Sequence, residues 1–361
     1  MKNIIFVSAL LCVVLMLGAS ARSTGGYTVN TENRDYCDDM DAAQEFIYNA
    51  LPLFFGAVGG SDQPERAKVT ITEYFNKNTK ISDVMADKAF GDYGRLIFPV
   101  NSGYYSGSTL GNLSLIWYSH IDPNKTVEIT NYMKSHALAG DTIFYDIYTD
   151  KEKAADPSKE DTGLFFFKGD SGARFAVCNA GGGMVFVGAM HDSFPHALEL
   201  SKMGYNAFAL IYRPGGQTAC EDLARAIAFI FEHADELEVD TSCYSLWGGS
   251  AGARMAAWLG SYGTAAFGEA DYPQAGAVIM QYTGLSKVTG SEPPTYNCVG
   301  TSDGIASYRA MENRIAAIKA NGTDTEIEVF NGLPHGFGLG TGTVAEGWIE
   351  NAVAFWKRQM D

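Results

Sequence analysis

The sequence predicts an α/β fold: a mostly parallel twisted sheet with helices on both faces, plus an N-terminal helical and irregular extension. Three observations carry that prediction. From Asp141 onward, short apolar runs alternate with stretches of helical periodicity, the pattern of parallel strands covered on both faces. Within it, Thr241 to Leu259 reads as a buried strand running directly into a helix, with G-x-S-x-G at the junction. Finally, 361 residues that are 46% apolar are ample for one large core, or one core and a smaller lobe.

Taken in order, the chain opens with Lys2, an apolar run from Ile4 to Leu17, and the small-residue site Ala19-Ser20-Ala21. That is the pattern of a cleavable signal peptide over residues 1–21, too short for a permanent membrane span. A secreted or periplasmic protein is expected, cleaved near Ala21. Residues 22–140 form the extension, expected to pack on the core or act as a lid. Within it, Asp38 to Phe55 has helical spacing at Met40, Phe46, Ile47, Ala50, Leu51 and Phe54. Ser82 reads as an N-cap for Asp83 to Ala89, and Phe90 to Tyr118 as irregular structure. Pro123 opens a helix through Leu138 that Gly140 closes.

Residues 141–361 form the second domain. Its predicted strands are 142–148, 163–167, 173–178, 207–212, 241–249, 275–281, 295–300 and 326–330. Helical periodicity follows at Leu223, Ala226, Ile227, Ile230 and Phe231, after the serine, at Met311, Ile315 and Ile318, and at Trp348, Ala352 and Phe355. In such a sheet, functional groups collect on loops at the carboxyl ends of the strands.

Charge excludes whole classes of partner. With 26 basic and 42 acidic residues the formal net charge is −16, unsuited to nucleic acid or an anionic membrane surface. Cleavage of the signal leaves Cys37, Cys178, Cys220, Cys243 and Cys298, without metal-ligand spacing. Cys178, Cys243 and Cys298 fall in predicted buried strands, while Cys37 or Cys220 is available for pairing. No metal or nucleotide motif is present, so no metal and no cofactor is expected.

The chemistry starts at Ser250, the centre of Gly248-x-Ser250-x-Gly252. A strained strand-to-helix turn lifts its hydroxyl above the sheet, and the small neighbours let strand and helix pass closely. Serine needs a base to take its proton and a third group to orient that base. Of six histidines, His335 lies just past the last strand in Leu333-Pro334-His335-Gly336-Phe337-Gly338, where small neighbours let the ring lean over the sheet edge. Asp303 follows another strand and precedes a helix; Asp271 and Asp324 precede strands, at the wrong end. As a helix cap, Asp303 has an alternative structural role. For the oxyanion, the expected donors are the N–H groups of Gly182, Gly183 and Ala251. Met184 and Tyr282 are candidate substrate contacts. Arg254 lies one turn beyond Ser250; it reads first as a buried arginine paired with an acid, and second as a contact for an acidic substituent. Gly169-Asp170-Ser171-Gly172, despite its protease-like tetrapeptide, reads as a hairpin turn.

On these residues the sequence resembles the α/β-hydrolase family over roughly residues 141–358. The order Ser250, Asp303, His335 and the glycine loop after the third strand carry the resemblance. It is similar to secreted esterases of the acetyl-xylan-esterase-like and hormone-sensitive-lipase-like groups through Gly181-Gly182-Gly183, Gly204-Tyr205-Asn206-Ala207-Phe208, Tyr212-Arg213 and His335-Gly336-Phe337. Ala180 departs from the lipase-like pattern, which has histidine there. The resemblance implies a serine esterase acting on a small-molecule or polysaccharide ester, with acetyl groups on carbohydrates as the expected substrate. It implies neither nucleic-acid binding nor stable membrane association. The same triad serves a serine peptidase, and a non-catalytic hydrolase-like binding protein is the further alternative.

Overall fold

The computed structural model describes residues 74–99 and 104–360. The expected signal peptide, the helix at Asp38–Phe55 and Cys37 lie outside the described residues. The domain is organised on eight strands: β1 (Phe144–Tyr145), β2 (Gly163–Phe167), β3 (Arg174–Asn179), β4 (Asn206–Ile211), β5 (Asp240–Gly249), β6 (Ala277–Gln281), β7 (Thr295–Gly300) and β8 (Thr325–Phe330). They lie in the order β8-β7-β6-β5-β3-β4-β2-β1. All neighbours from β4 to β8 pair in parallel, while β2 runs antiparallel to both β4 and β1. The carboxyl ends of β3, β5, β7 and β8 therefore share one edge, which gathers four loops far apart in sequence.

The strands are apolar throughout because both faces are covered. Phe165, Val177, Phe208, Leu246, Ile279 and Val299 are each at most 1% exposed, and each such side chain stabilises by about 1.5–3 kcal/mol. The principal helices are α1 (Pro123–Ala139), α2 (Phe194–Lys202), α3 (Gly216–Glu232), α4 (Ala251–Tyr262), α5 (Tyr308–Ala320) and α6 (Trp348–Lys357). Asp122 caps α1 by accepting from the Asn124 N–H, Pro123 starts it, and Gly140 at φ 92° ends it. Helix α2 leaves no periodic signal in the sequence. It is buried on nearly every side, at Phe194, Pro195, His196, Ala197, Leu198 and Leu200, so it has no polar face to alternate with.

Several sequence expectations shift. The first strand shrinks from 142–148 to two residues, because only Phe144 and Tyr145 find partners on β2. The turn at Gly169–Gly172 is no hairpin: β2 and β3 are not neighbours, since β4 lies between them. Ser82 sits inside the first turn of a helix at Ile81–Met85, which starts earlier because buried Ile81 is anchored by its N–H on the Ser108 carbonyl. Asp87 instead caps the following segment at Ala89. Cys243 is half-buried at a positive φ of 51°, near the register shift between β3 and β5. Cys178, Cys220 and Cys298 are buried, and all four described cysteines are free thiols.

Residues 74–99 and 104–139 share the hydrophobic core through Phe75, Ile81, Phe90, Ile97, Leu110, Ile129 and Met133. These described residues of the extension are thus part of the body.

Candidate active site

Strand β5 ends at Gly249, and the chain turns through Ser250 into α4. Ser250 has φ 52° and ψ −111°, a conformation that L-residues rarely adopt and that costs about 1–3 kcal/mol. Its N–H donates to the Gln281 carbonyl at 2.9 Å, which ties the turn to the end of β6. The glycines on either side answer a packing demand. A Cβ on Gly252 would lie 2.0 Å from the Asn179 carbonyl oxygen, and one on Gly248 would lie 2.3 Å from the Gly252 backbone.

The structure brings Ser250, His335 and Asp303 together. His335 Nε2 is 3.2 Å from Ser250 Oγ, and His335 Nδ1 is 2.7 Å from Asp303 Oδ2. The imidazole is 7% exposed and the Asp303 carboxylate fully shielded, so their interaction is little screened by water. Asp303 also does what a cap does: Oδ1 accepts from the N–H groups of Ile305 and Ala306 at 2.8 and 2.7 Å. One oxygen anchors the loop and the other meets the histidine. The two readings of this residue are therefore compatible.

The glycine loop after β3 runs through three successive positive φ values, at Gly182 (125°), Gly183 (63°) and Met184 (62°). Among the described residues, the N–H groups of Gly182 and Gly183 donate to no acceptor. That of Ala251 lies at the first position of α4, where helix N–H groups lack intrahelical partners. The loop is held from behind. Tyr212 Oη donates to the Ala180 carbonyl at 2.7 Å, and the Gly188 N–H donates to the Gly181 carbonyl at 2.9 Å.

Three further expectations are placed differently from one another. Met184 is half-buried against the core, and its carbonyl accepts from the Gly215 N–H. Tyr282 is fully buried, its ring centroid 4.9 Å from that of His335, so it lies beneath the base and is not a substrate contact. Arg254 is exposed, and among the described residues no carboxylate is within ion-pair distance of it. This corrects the buried-pair reading. The face of α4 that carries it turns out from the sheet, and its guanidinium lies beside Gly284.

Sequence reasoning missed the contribution of the extension. Ser119 Oγ donates to the His335 carbonyl and the Ser119 N–H to the Gly336 carbonyl, both at 2.8 Å. Trp117, 43% exposed at φ 71°, stands where its ring would meet a Cβ on Gly183 at 3.0 Å. No periodic pattern marks these residues, since they act through an irregular stretch.

Two histidines outside the triad are buried. Burial lowers His191, and it pushes His196 down to about 4. Both are thus neutral in the folded protein, whereas the unfolded chain takes up protons near 6.5. Folded-state pKa values below the unfolded one give stability that is complete above pH 6.5 and lost as pH falls toward 4. For His196 the loss amounts to about 3 kcal/mol by pH 4. Melting temperature measured from pH 7 to 4 is expected to fall less steeply in His196→Gln than in the wild type; parallel curves would exclude His196 as a source.

Residues 170–303 match the family model described as BD-FAE, an α/β-hydrolase esterase family; the match takes in the glycine loop, Ser250 and Asp303 but stops short of His335. No curated protein matches the sequence. Among solved structures, the chain is similar to an acetyl ester-xyloside bifunctional hydrolase from Caldicellulosiruptor lactoaceticus. That likeness has 19% identity and a TM-score of 0.53, covering 60% of this chain and 95% of the other. A thermophilic esterase from Thermogutta terrifontis is 22% identical, with 60% and 93% covered and a TM-score of 0.49. An α/β hydrolase from a Medee basin deep-sea metagenome library is 18% identical, with 55% and 93% covered and a TM-score of 0.47. At these identities the likeness is one of fold.

Proposed function

We propose that this chain, which has the α/β-hydrolase fold and matches an esterase-family model over residues 170–303, is an exported serine esterase acting on small acyl esters, with acetyl groups on carbohydrates as the substrate class. The observation that carries this reading is the continuous path from Ser250 through His335 to Asp303, beside a glycine loop in which, among the described residues, the Gly182 and Gly183 N–H groups donate to no acceptor.

The chemistry follows from the distances. His335 Nε2 takes the Ser250 proton as Oγ attacks the ester carbonyl, and the carbonyl π electrons move to oxygen. Gly182, Gly183 and Ala251 donate to that oxyanion in a site already shaped to receive it. Asp303 accepts from Nδ1–H and stabilises the imidazolium without taking its proton. As the tetrahedral centre collapses, the alcohol leaves with the proton from His335 and the acyl group stays on Ser250. Water, deprotonated by His335, then releases the acid and restores the serine.

Export is proposed from the N-terminal pattern alone, and N-terminal sequencing of the protein recovered outside the cytoplasm tests it. The substrate class is tested by comparing nitrophenyl acetate, butyrate and longer esters, and then acetylated xylan. A decline in kcat/KM with acyl length, together with acetate release from xylan, supports the reading. Preference for long acyl chains, or cleavage of peptide amides at a comparable rate, removes it.

Arg254 sharpens the choice of alcohol. Its exposed guanidinium stands one turn from the nucleophile in a protein of net charge −16, where an unpaired cation favours a carboxylate on the substrate. Arg254→Met is expected to leave the melting temperature within about 1 °C, as usual for an exposed substitution. The variant should lose about fivefold in kcat/KM on acetylated substrates bearing uronic acids, as expected of an exposed charge pair worth up to about 1 kcal/mol. Equal loss on neutral substrates would assign it no part in selectivity.

A further inference from the structure

A carboxylate with no assigned role lies beneath the candidate site. Asp192, at the end of the short helical turn Ala189–Asp192, is 2% exposed. Among the described residues no lysine or arginine pairs with it. Burying a carboxylate without a cation costs several kcal/mol unless hydrogen bonds replace its water. Here they come from two functional segments. Oδ2 accepts from the Gly181 N–H at 3.0 Å, at the head of the glycine loop. Oδ1 accepts from Tyr282 Oη.

The surroundings are shaped to admit this group. A Cβ on Gly249 would lie 2.5 Å from Asp192 Oδ2, and one on Gly181 would lie 2.7 Å from it. The residue before the nucleophile and the first residue of the glycine loop are therefore both glycines facing the same carboxylate. Tyr282 carries the connection onward. It is held at φ 32°, its ring packs against those of His335 and Phe337, and its Oη accepts from the Gly338 N–H at 3.3 Å. Burial and the Asp192 charge raise the Tyr282 hydroxyl well above its ordinary value, which keeps it a donor. The Tyr118 hydroxyl, from the extension, lies beside the same carboxylate and is raised likewise.

We propose that Asp192 is a positioning residue: through the Gly181 N–H on one side and Tyr282 on the other, it holds the oxyanion donors and the base loop in register around Ser250. The proposal rests on the triad reading given above. A buried charge fixed between two such segments transmits displacement directly. A shift of about 1 Å in a reacting group is enough to lower the rate about 10²-fold.

The test uses the full chain, with Asp192→Asn and Tyr282→Phe, each assayed per active site after titration with an organophosphonate that labels the serine. Asn matches the volume of Asp but has a single acceptor oxygen, so it cannot accept from both the Gly181 N–H and Tyr282 Oη; Phe keeps the ring and removes only the hydroxyl. The expected result for Asp192→Asn is a kcat about 10²-fold lower, KM within threefold of wild type, and a Ki for an acetyl-mimicking trifluoromethyl ketone raised in step with the kcat loss. Tyr282→Phe should lose about tenfold in the same pattern. The double variant should be no worse than Asp192→Asn, because the connection from Gly181 through residue 192 to Tyr282 runs in series and is already broken by that substitution. A purely structural role would lower the melting temperature while kcat per titrated site and Ki stay within threefold, and that outcome overturns the proposal. Should Asp192→Asn fail to fold, Tyr282→Phe decides by the same criteria. Ser250→Ala keeps the two levels apart. Activity persisting in Ser250→Ala defeats the triad reading, whereas an inert Ser250→Ala beside a fully active Asp192→Asn defeats only the positioning role.

Discussion

Ser250→Ala is expected to lower kcat on the order of 10⁶-fold while the protein folds as before. The magnitude follows from the division of labour. In the proposed mechanism every step passes through an acyl group on the serine oxygen, so its removal leaves His335 and Asp303 without the nucleophile they serve and only the oxyanion donors at work. The fold survives because Ser250 is the cap position of α4 yet makes no side-chain capping hydrogen bond. Its hydroxyl meets His335 and carries little packing. The backbone supplies a second readout. At φ 52° and ψ −111°, any L-residue is strained by about 1–3 kcal/mol, and glycine is not. Ser250→Gly should therefore melt about 2–4 °C above Ser250→Ala, after allowance for the greater entropy of glycine in the unfolded chain. A Ser250→Ala enzyme within tenfold of wild type removes the nucleophile assignment. Equal melting of the Ala and Gly variants would show that the turn stores no strain.

The second large effect is expected at Gly252, two residues on. A methyl group there would lie 2.0 Å from the Asn179 carbonyl oxygen and 2.7 Å from that of Ala180. Both obstacles are backbone, so no side chain can swing aside; β3 and α4 must separate. Overpacking of this kind costs about 3 kcal/mol, which lowers the melting temperature by about 6–12 °C for a domain of this size. Activity should fall further than stability implies. The separation moves Ser250 on one wall away from the glycine loop on the other, and kcat/KM is expected to drop about 10²-fold or more. Gly304→Ala is the control for stability, since a Cβ there meets nothing within 4 Å. Unchanged melting and turnover in Gly252→Ala would mean that strand and helix are less tightly opposed than the backbone distances state.

How much of this was readable in the residues depends on the kind of signal. Period-two and period-3.6 patterns report burial, so strands such as Phe165–Phe167 and helices such as α3 and α6 stand out. Ser250 and His335 announce themselves by small neighbours, which a close backbone approach requires. Strand order is different. Nothing local says that β4 lies between β2 and β3, and a reading of adjacent strands turns Gly169–Gly172 into a hairpin. Arg254 misleads for a related reason: helix α4 is buried as a whole, but its residue 254 faces outward. Asp192 and Ser119 are silent because each works through a pair of hydrogen bonds, to residues 11 and 90 positions away for Asp192 and to His335 and Gly336, about 216 positions away, for Ser119. Such pairings follow from the finished topology and leave no spacing to find.

The Ser119–His335 contact also bears on when activity can appear during synthesis. A ribosome delivers residue 119 first, the serine 131 residues later and His335 a further 85 residues on. The histidine loop is latched by a segment that has waited, through most of translation, for its partner. A chain interrupted between Asp303 and His335 carries the candidate nucleophile, its acid and the glycine loop but no base. A chain missing the early segment carries the base without the serine hydroxyl that steadies it. A chain that lacks either residue 119 or residue 335 lacks one side of this contact, so the candidate base is latched only once both segments have been made.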